Sequence, residues 1–312
     1  MSSEKSYHNV RTVLYERDPD VRQTIKSTLN RDTFTQTLAT SSLKSAQAAI
    51  FNDEADLIVV DIDNDGTEIH TMMRKIRHHE IGNNPFPVTI ALSGNSSYRN
   101  VRQTIDSGFD LLLLKPFSMT TLLDRIGHLV RQRVPFAVTS DYIGPDRRLN
   151  ARNSKPGDQK YQVIVPNPLK IMAEGKTPLH KMQRLIKEST FDVNETRIQR
   201  HGESIPDLVG NLVSNYMLDG LDDEFLEGLK KLNAICNDMD RRLKRSKFAH
   251  VAELCGSMHT VVAHILECPM SPEGRDIDLL QNLGSAIARA FQADGKEIAT
   301  IHTITDSIKA VA

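Results

Sequence analysis

The chain is poor in aromatic residues and in cysteine. It contains no tryptophan, 5% aromatic residues and three cysteines among 312 residues. So few aromatic side chains argue against a platform on which nucleic-acid bases stack. The cysteines, Cys236, Cys255 and Cys268, have no CxxC spacing. We therefore expect core cysteines of a reduced cytoplasmic protein, and neither a disulfide nor a metal site.

The chain also lacks an excess of charge and a long hydrophobic run. Lys and Arg number 39 against 40 Asp and Glu, and the formal net charge of −1 gives no overall attraction to nucleic acid or to an anionic membrane. No apolar run approaches the roughly 18 residues of a membrane-spanning helix, and the polar N-terminus lacks a signal-peptide core. We expect no membrane partner and about two domains.

Three strand-like segments in the first part of the chain each end at a polar residue. The apolar runs 57–60, 88–92 and 111–114 end at Asp61, Ser93 and Lys115. Strand and helix signals alternate here, which predicts a parallel sheet covered by helices on both faces. Ligand sites of such sheets lie at the carboxyl ends of the strands. An acid, a hydroxyl and an ammonium at that edge can accept a phosphoryl group, with Asp61 as the nucleophile and the other two holding the phosphoryl oxygens.

These residues and their neighbours resemble the receiver domain of two-component response regulators. The resemblance covers residues 9–133 and is carried by segments 13–19, 56–61, 108–110 and 114–117. It implies a flavodoxin-like α/β fold with a five-stranded parallel sheet of order 2-1-3-4-5. It also implies that Asp61 receives its phosphoryl group from a sensor histidine kinase or a phosphotransfer protein, and that a cis peptide bond precedes Pro116.

Two positions depart from the receiver pattern. Receivers place two adjacent acids after the first strand, and these hold Mg²⁺ together with the acceptor Asp. Here the pair reads Glu16-Arg17, so Glu16, Asp61 and Asp63 are the predicted metal ligands. We expect Arg17 to weaken the site, because Mg²⁺ requires near-octahedral oxygen ligation. The second departure is Leu112, where the family often has a switch Tyr or Phe.

Arg17 leaves two interpretations open. It can pair with Asp61 and imitate a neutralised or phosphorylated site, which describes a pseudo-receiver scaffold that is not phosphorylated. Alternatively it can swing outward and leave a slow, weakly metal-dependent acceptor. The order of the residues along the chain does not choose between them.

The rest of the chain is predicted to be a linker followed by an all-α domain. Residues 134–175 are basic and interrupted by Pro and Gly, which predicts a solvated linker or, alternatively, a strap docked on the receiver or on a partner. Residues 176–312 are predicted to be a helical bundle or dimerisation domain, with a short helix near residues 208–216 and a last one over 298–311. Its apolar stripes are Phe225, Leu229, Leu232, Cys236, Met239 and Leu243, then Phe248, Val251, Cys255, Met258, Val262 and Ile265, then Ile277, Leu280, Ile287 and Phe291.

No motif of an enzyme is found in the helical part, so we expect a signalling protein and no separate catalytic domain. A basic cluster at residues 241–247 leaves a DNA-binding regulator as a further, less favoured alternative, because cations at a solvated helix C-terminus explain the cluster adequately. His250, His259, His264 and His302 match no phosphotransfer pattern.

The sequence therefore predicts a response regulator that accepts a phosphoryl group on Asp61 and signals through a helical protein-interaction domain, with homodimerisation left open.

Overall fold

The computed structural model describes residues 6–52, 55–148, 161–220, 222–267 and 274–292. The chain divides into two compact units, Met1–Asp192 and Val193–Ala312. Among the described helices none is long and apolar enough to cross a membrane.

The first unit contains the predicted five-stranded parallel sheet. Its order is β2-β1-β3-β4-β5, which confirms the predicted fold class. The strands are β1 Arg11–Tyr15, β2 Gln36–Thr40, β3 Leu57–Asp61, β4 Val88–Ser93 and β5 Leu111–Leu114. The helices that alternate with them are α1 Pro19–Arg31, α2 Leu43–Asn52, α3 Gly66–Arg77, α4 Tyr98–Asp106 and α5 Met119–Arg131.

The central strands are apolar throughout because both faces of the sheet are covered. All five residues of β3 are buried, as expected for a parallel strand between two helical layers. Leu57 and Val59 join the core on one face, whereas Ile58 and Val60 join the core on the other, because successive side chains of a strand point in opposite directions. An uninterrupted apolar run therefore fills two cores at once.

The described part of the segment predicted as a linker is folded. Strands β6 Phe136–Val138, β7 Ile143–Pro145 and β8 Gln162–Val163 form an antiparallel sheet of order β7-β6-β8, and α6 Pro168–Glu174 follows it. Pro145 is tolerated because it ends an edge strand. These residues are thus not a plain solvated linker, whereas the domain boundaries at residues 133 and 175 stay a prediction.

Two buried arginines connect this segment to the five-stranded sheet. Arg77 and Arg133 donate to opposite oxygens of Asp110, at 2.9 and 3.2 Å, and each guanidinium carbon lies 5.0 Å from the ring centroid of Phe136. Arg133 also donates to the carbonyl of Pro166 at 2.7 Å. Burial lowers the pKa of Arg77 to about 10. Residues 133–148 and 161–166 thus lie as a strap against the five-stranded sheet, held by charges whose burial is compensated by one shared carboxylate.

The second unit is helical, as predicted. Helix α7 Leu179–Asp219 runs through both units and is followed by α8 Asp223–Leu243, the 3₁₀ turn Ala249–Val251, α9 Ala252–Glu267 and α10 Gly274–Gln292. The predicted apolar stripes form its core, with Phe248 and Phe291 partly buried at the margin. Cys268, His302 and the helix predicted over 298–311 lie outside the described residues.

The prediction of a short helix near residues 208–216 is wrong in the length of the helix. It belongs to α7, which has 41 residues and contains Pro206 in its interior. A proline inside a helix costs about 3 kcal/mol, because it removes a backbone hydrogen bond and crowds the preceding turn. The neighbouring Ile205 and Val209 are 0% and 2% exposed in the core of the unit. We attribute the continuation of the helix to this packing, which the local sequence does not reveal.

A buried ionic cluster lies inside the second unit. Asp238 accepts hydrogen bonds from Arg197 at 2.8 Å and from Arg242 at 2.9 Å, and its carboxylate lies 3.0 Å from Nε2 of His201. All four residues are buried. Burial alone would raise the pKa of Asp238, but the contact with His201 and the charges of the two arginines outweigh it and hold the pKa far below its usual value.

We predict that Asp238→Asn destabilises the helical unit strongly. The substitution leaves two buried guanidinium groups without the carboxylate that they share, which costs about 3–5 kcal/mol in comparable buried pairs. Urea unfolding followed by circular dichroism measures the change in the free energy of unfolding. Asp240→Asn removes the same charge from an exposed position of the same helix and is expected to change it by less than about 0.5 kcal/mol. Equal effects of the two substitutions would contradict a structural role for the buried cluster.

Candidate functional site

The carboxyl edge of the sheet brings Asp61, Ser93 and Lys115 to neighbouring strand ends. Asp61 is the last residue of β3, Ser93 the last of β4, and Lys115 directly follows β5. Parallel pairing sets Asp61 opposite Leu92, and the amide of Lys115 donates to the carbonyl of Ser93 at 2.7 Å. The Lys115–Pro116 peptide bond is cis. The register of the sheet therefore places all three residues at one edge.

The ammonium of Lys115 lies among three carboxylates. Its Nζ is 2.8 Å from Oδ1 of Asp61, 3.0 Å from Oε2 of Glu16 and 3.7 Å from Oδ2 of Asp63. The side chains of Asp61 and Glu16 are 3% and 2% exposed, against 30% for Asp63. Two nearly buried acids thus share one cation, which offsets most of the cost of burying their charges.

Burial and the charges at this edge change the pKa values of Asp61 and Lys115. Burial raises the pKa of Asp61 and the nearby charge of Glu16 adds to that effect, while the hydrogen bond from Lys115 opposes it. Burial alone would lower the pKa of Lys115, but its hydrogen bonds to Asp61 and Glu16 outweigh burial and raise that pKa. Lys115 is therefore a permanent cation at neutral pH.

The hydroxyl of Ser93 faces Asp63. It donates to Oδ1 of Asp63 at 2.6 Å, and the backbone amide of Gly94 lies 3.0 and 2.8 Å from the two oxygens of the same carboxylate. Burial alone would raise the pKa of Asp63, yet the bonds from Ser93 and Gly94 and the charge of Lys115 lower it. Of the predicted trio, Asp61 and Lys115 are in direct contact, while Ser93 is bonded to a different acid.

Arg17 contacts neither Asp61 nor Glu16 through a hydrogen bond in the described structure. Its Nε donates to the hydroxyl of Tyr15 at 3.1 Å and its Nη2 to Oδ1 of Asp65 at 3.1 Å, and Tyr15 donates to the other oxygen of Asp65. The side chain of Arg17 is 52% exposed. Of the two interpretations left open for Arg17, the structure therefore has the one in which its side chain turns away from Asp61: Lys115 already neutralises that carboxylate, and Asp65 offers an accessible one.

The predicted magnesium ligands do not form a metal site in this arrangement. In the part of the chain that the structure describes, no three His, Cys, Asp or Glu side chains are grouped to hold a metal ion. The ammonium of Lys115 lies between Glu16 and Asp61, and the carboxylate of Asp63 is turned toward Ser93. Mg²⁺ prefers six oxygen ligands, whereas in this arrangement each of the three carboxylates faces the ammonium of Lys115 or the hydroxyl of Ser93.

The other atypical position, Leu112, has an apolar role. Leu112 is partly buried and packs on the core of the face that α2 and α3 cover. It provides no hydroxyl or aromatic ring, so any coupling at this position occurs by packing alone. Sequence reasoning missed two further residues, Gly94 as an amide donor and Asp65 as the partner of Arg17; their only signals are that Gly94 follows Ser93 and that Asp65 is an acid in the loop after Asp61.

The fold and the carboxylate at its edge define a doubly wound α/β domain of flavodoxin-like topology. Residues 13–127 match the family model of the response regulator receiver domain. A crystal structure of a response regulator from Thermotoga maritima is 22% identical, with 39% of this chain and 99% of that chain covered and a TM-score of 0.35. No curated protein matches the chain.

The family match shows that the N-terminal part of the chain contains a response regulator receiver domain, which confirms the resemblance found in the sequence. Receiver domains belong to two-component signalling and are signalling domains, not catalytic ones. They generally bind Mg²⁺ in their acidic pocket.

We predict that Arg17→Asp raises the affinity for Mg²⁺ by on the order of tenfold, because it replaces a cation with an oxygen ligand next to Glu16. Isothermal titration of the protein with MgCl₂ measures the dissociation constant. Arg125→Asp makes the same charge change at an exposed position of α5 and serves as the control. Equal affinities of the two variants would show that Arg17 does not limit metal binding.

Proposed function

We propose that this protein is a two-component response regulator that accepts a phosphoryl group on Asp61 and signals through its helical unit. The contact that carries the proposal is the 2.8 Å bond between Nζ of Lys115 and Oδ1 of Asp61. The hydroxyl of Ser93 and the amide of Gly94 lie at the adjacent strand end. A nucleophile, a fixed cation and neutral donors are the groups that phosphoryl transfer requires.

The reaction follows from these positions. Because Lys115 holds Oδ1 of Asp61, the other carboxylate oxygen attacks the phosphorus atom of a phosphohistidine. The oxygen–phosphorus bond forms as the phosphorus–nitrogen bond breaks, and the imidazole of the donor leaves with the electron pair. Lys115 balances the charge that develops on the phosphoryl oxygens, since positioning and charge neutralisation supply most of the catalysis. A sensor histidine kinase or a phosphotransfer protein is the proposed donor.

The helical unit is the proposed interaction domain. Met217 and Leu218, near the end of α7, are 71% and 81% exposed, and exposed apolar side chains of this size favour protein contacts. The basic cluster at residues 241–247 gives less support to DNA binding, because Arg242 is buried and Arg241 donates to Asp238 at 2.5 Å. These two arginines stabilise the fold of the unit and are not arranged to bind DNA phosphates.

A second candidate function is a pseudo-receiver scaffold that takes no phosphoryl group. It is favoured by Lys115, whose ammonium lies among the carboxylates of Glu16, Asp61 and Asp63, and by Arg17, which occupies the position of an acid. The two functions differ in the role of Asp61. For a scaffold, Asp61→Ala leaves the affinity for the partner unchanged, whereas for a switch the affinity loses its dependence on phosphorylation.

We predict that acetyl phosphate adds one phosphoryl group to the wild-type protein and none to Asp61→Asn, because the amide is not a nucleophile. Intact mass spectrometry, with and without Mg²⁺, measures the adduct, and peptide mapping locates it. Asp124→Asn, an exposed acid of α5, is the control and should be labelled like the wild type. Absence of labelling in the wild type, or equal labelling of Asp61→Asn, would exclude acceptance at Asp61 and leave the scaffold.

A further inference from the structure

The carboxylate of Asp63 is surrounded by hydrogen-bond donors of the receiver edge. Ser93 donates its hydroxyl to Oδ1 at 2.6 Å, and the amide of Gly94 approaches both oxygens, at 3.0 and 2.8 Å. Nζ of Lys115 lies 3.7 Å from Oδ2. We call the hydroxyl of Ser93, the amide of Gly94 and the ammonium of Lys115 the anion cradle. In this structure the anion in the cradle is a side chain of the protein.

The anion cradle has the composition of a phosphoryl site. A hydroxyl, a backbone amide and an ammonium can each donate a hydrogen bond to an anion. Hydrogen bonds to ionised acceptors are about twice as strong as hydrogen bonds between neutral groups. Two of these donors, Ser93 and Lys115, are the groups to which the proposed function assigns the phosphoryl oxygens. A carboxylate bonded to Ser93 and Gly94 therefore occupies the space and the donors that a phosphoryl group on Asp61 needs.

We propose that Asp63 is an internal occupant of the anion cradle, which competes with an oxyanion and must leave Ser93 and Gly94 before a phosphoryl group enters. The inference rests on the proposed function in naming the phosphoryl group as the competing ligand. Competition for the cradle itself is a property of Asp63 and extends to any small tetrahedral oxyanion.

The position of Asp63 allows this exchange. Its side chain is 30% exposed, whereas that of Asp61 is 3% exposed, so the carboxylate of Asp63 can regain water when it turns out of the cradle. Two anions cannot share these donors, because like charges at contact distance repel each other. Asp63 thus sets how readily the site takes its ligand, while Asp61 supplies the nucleophile.

The test compares Asp63→Asn with Asp65→Asn in the full chain. Both variants remove one negative charge from the loop after β3, but Asp65 is bonded to Tyr15 and Arg17 and not to the cradle. Titration with inorganic phosphate, followed by the backbone amide signal of Gly94 in ¹⁵N–¹H spectra, measures the occupation of the cradle. Loss of the charge-assisted bonds to Asp63 predicts about tenfold tighter phosphate binding in Asp63→Asn, with Asp65→Asn close to the wild type. Asp63→Ala repeats the test without an amide side chain.

Labelling of Asp61 by acetyl phosphate is the second readout, and the rate should rise about tenfold in Asp63→Asn alone. If Gly94 responds to phosphate equally in the wild type and in both Asp63 variants, the inference is overturned, whatever happens at Asp61. Where Asp61 is labelled, equal rates in wild type and Asp63→Asn overturn it as well. If phosphate binding tightens as expected but no protein is labelled, the proposed function fails and the internal occupant stands.

Discussion

The ammonium of Lys115 is the group on which the receiver edge depends. Glu16 and Asp61 are both nearly buried and lie at the ends of the neighbouring strands β1 and β3, and without a cation between them their charges would repel each other in a medium that screens poorly. Because the lysine is fixed by β5 and its amide bonds to Ser93, the cation stays at the strand ends. The same charge that makes the acid pair tolerable also makes Asp61 a suitable neighbour for an incoming anion.

Each unit also contains a buried ionic cluster away from the receiver edge, with the charges reversed. Asp110 receives Arg77 and Arg133 where the strap meets the sheet, and Asp238 receives Arg197 and Arg242 in the helical core. In each case one carboxylate joins two buried guanidinium groups from separate parts of the chain. A buried ionic group of this kind contributes little net stability compared with apolar packing, but it penalises any arrangement in which its members are separated.

The chemistry of the receiver edge therefore separates into a general part and a part particular to this chain. The sheet and its topology follow the receiver pattern. The particular part consists of three side chains: Arg17 bonded to Asp65, Asp63 bonded to Ser93 and Gly94, and Leu112 packed in the core. Arg17 and Asp63 lie in loops at strand ends, which accept substitutions that buried strands do not, whereas Leu112 lies in β5 and is accommodated by apolar packing.

The sequence by itself determined the receiver fold, because the apolar runs and the polar residues that end them can be recognised locally. Each of these runs forms a strand of the sheet. The sequence also placed Asp61, Ser93 and Lys115 at one edge, because parallel register aligns strand ends. Only the tertiary structure decided that Arg17 bonds to Asp65, that Asp63 takes the donors of Ser93 and Gly94, and that the described residues 133–148 and 161–166 form a strap. These outcomes depend on which of several competing carboxylates lies within reach of each cation or donor, and that choice is made by distances between segments far apart in the chain.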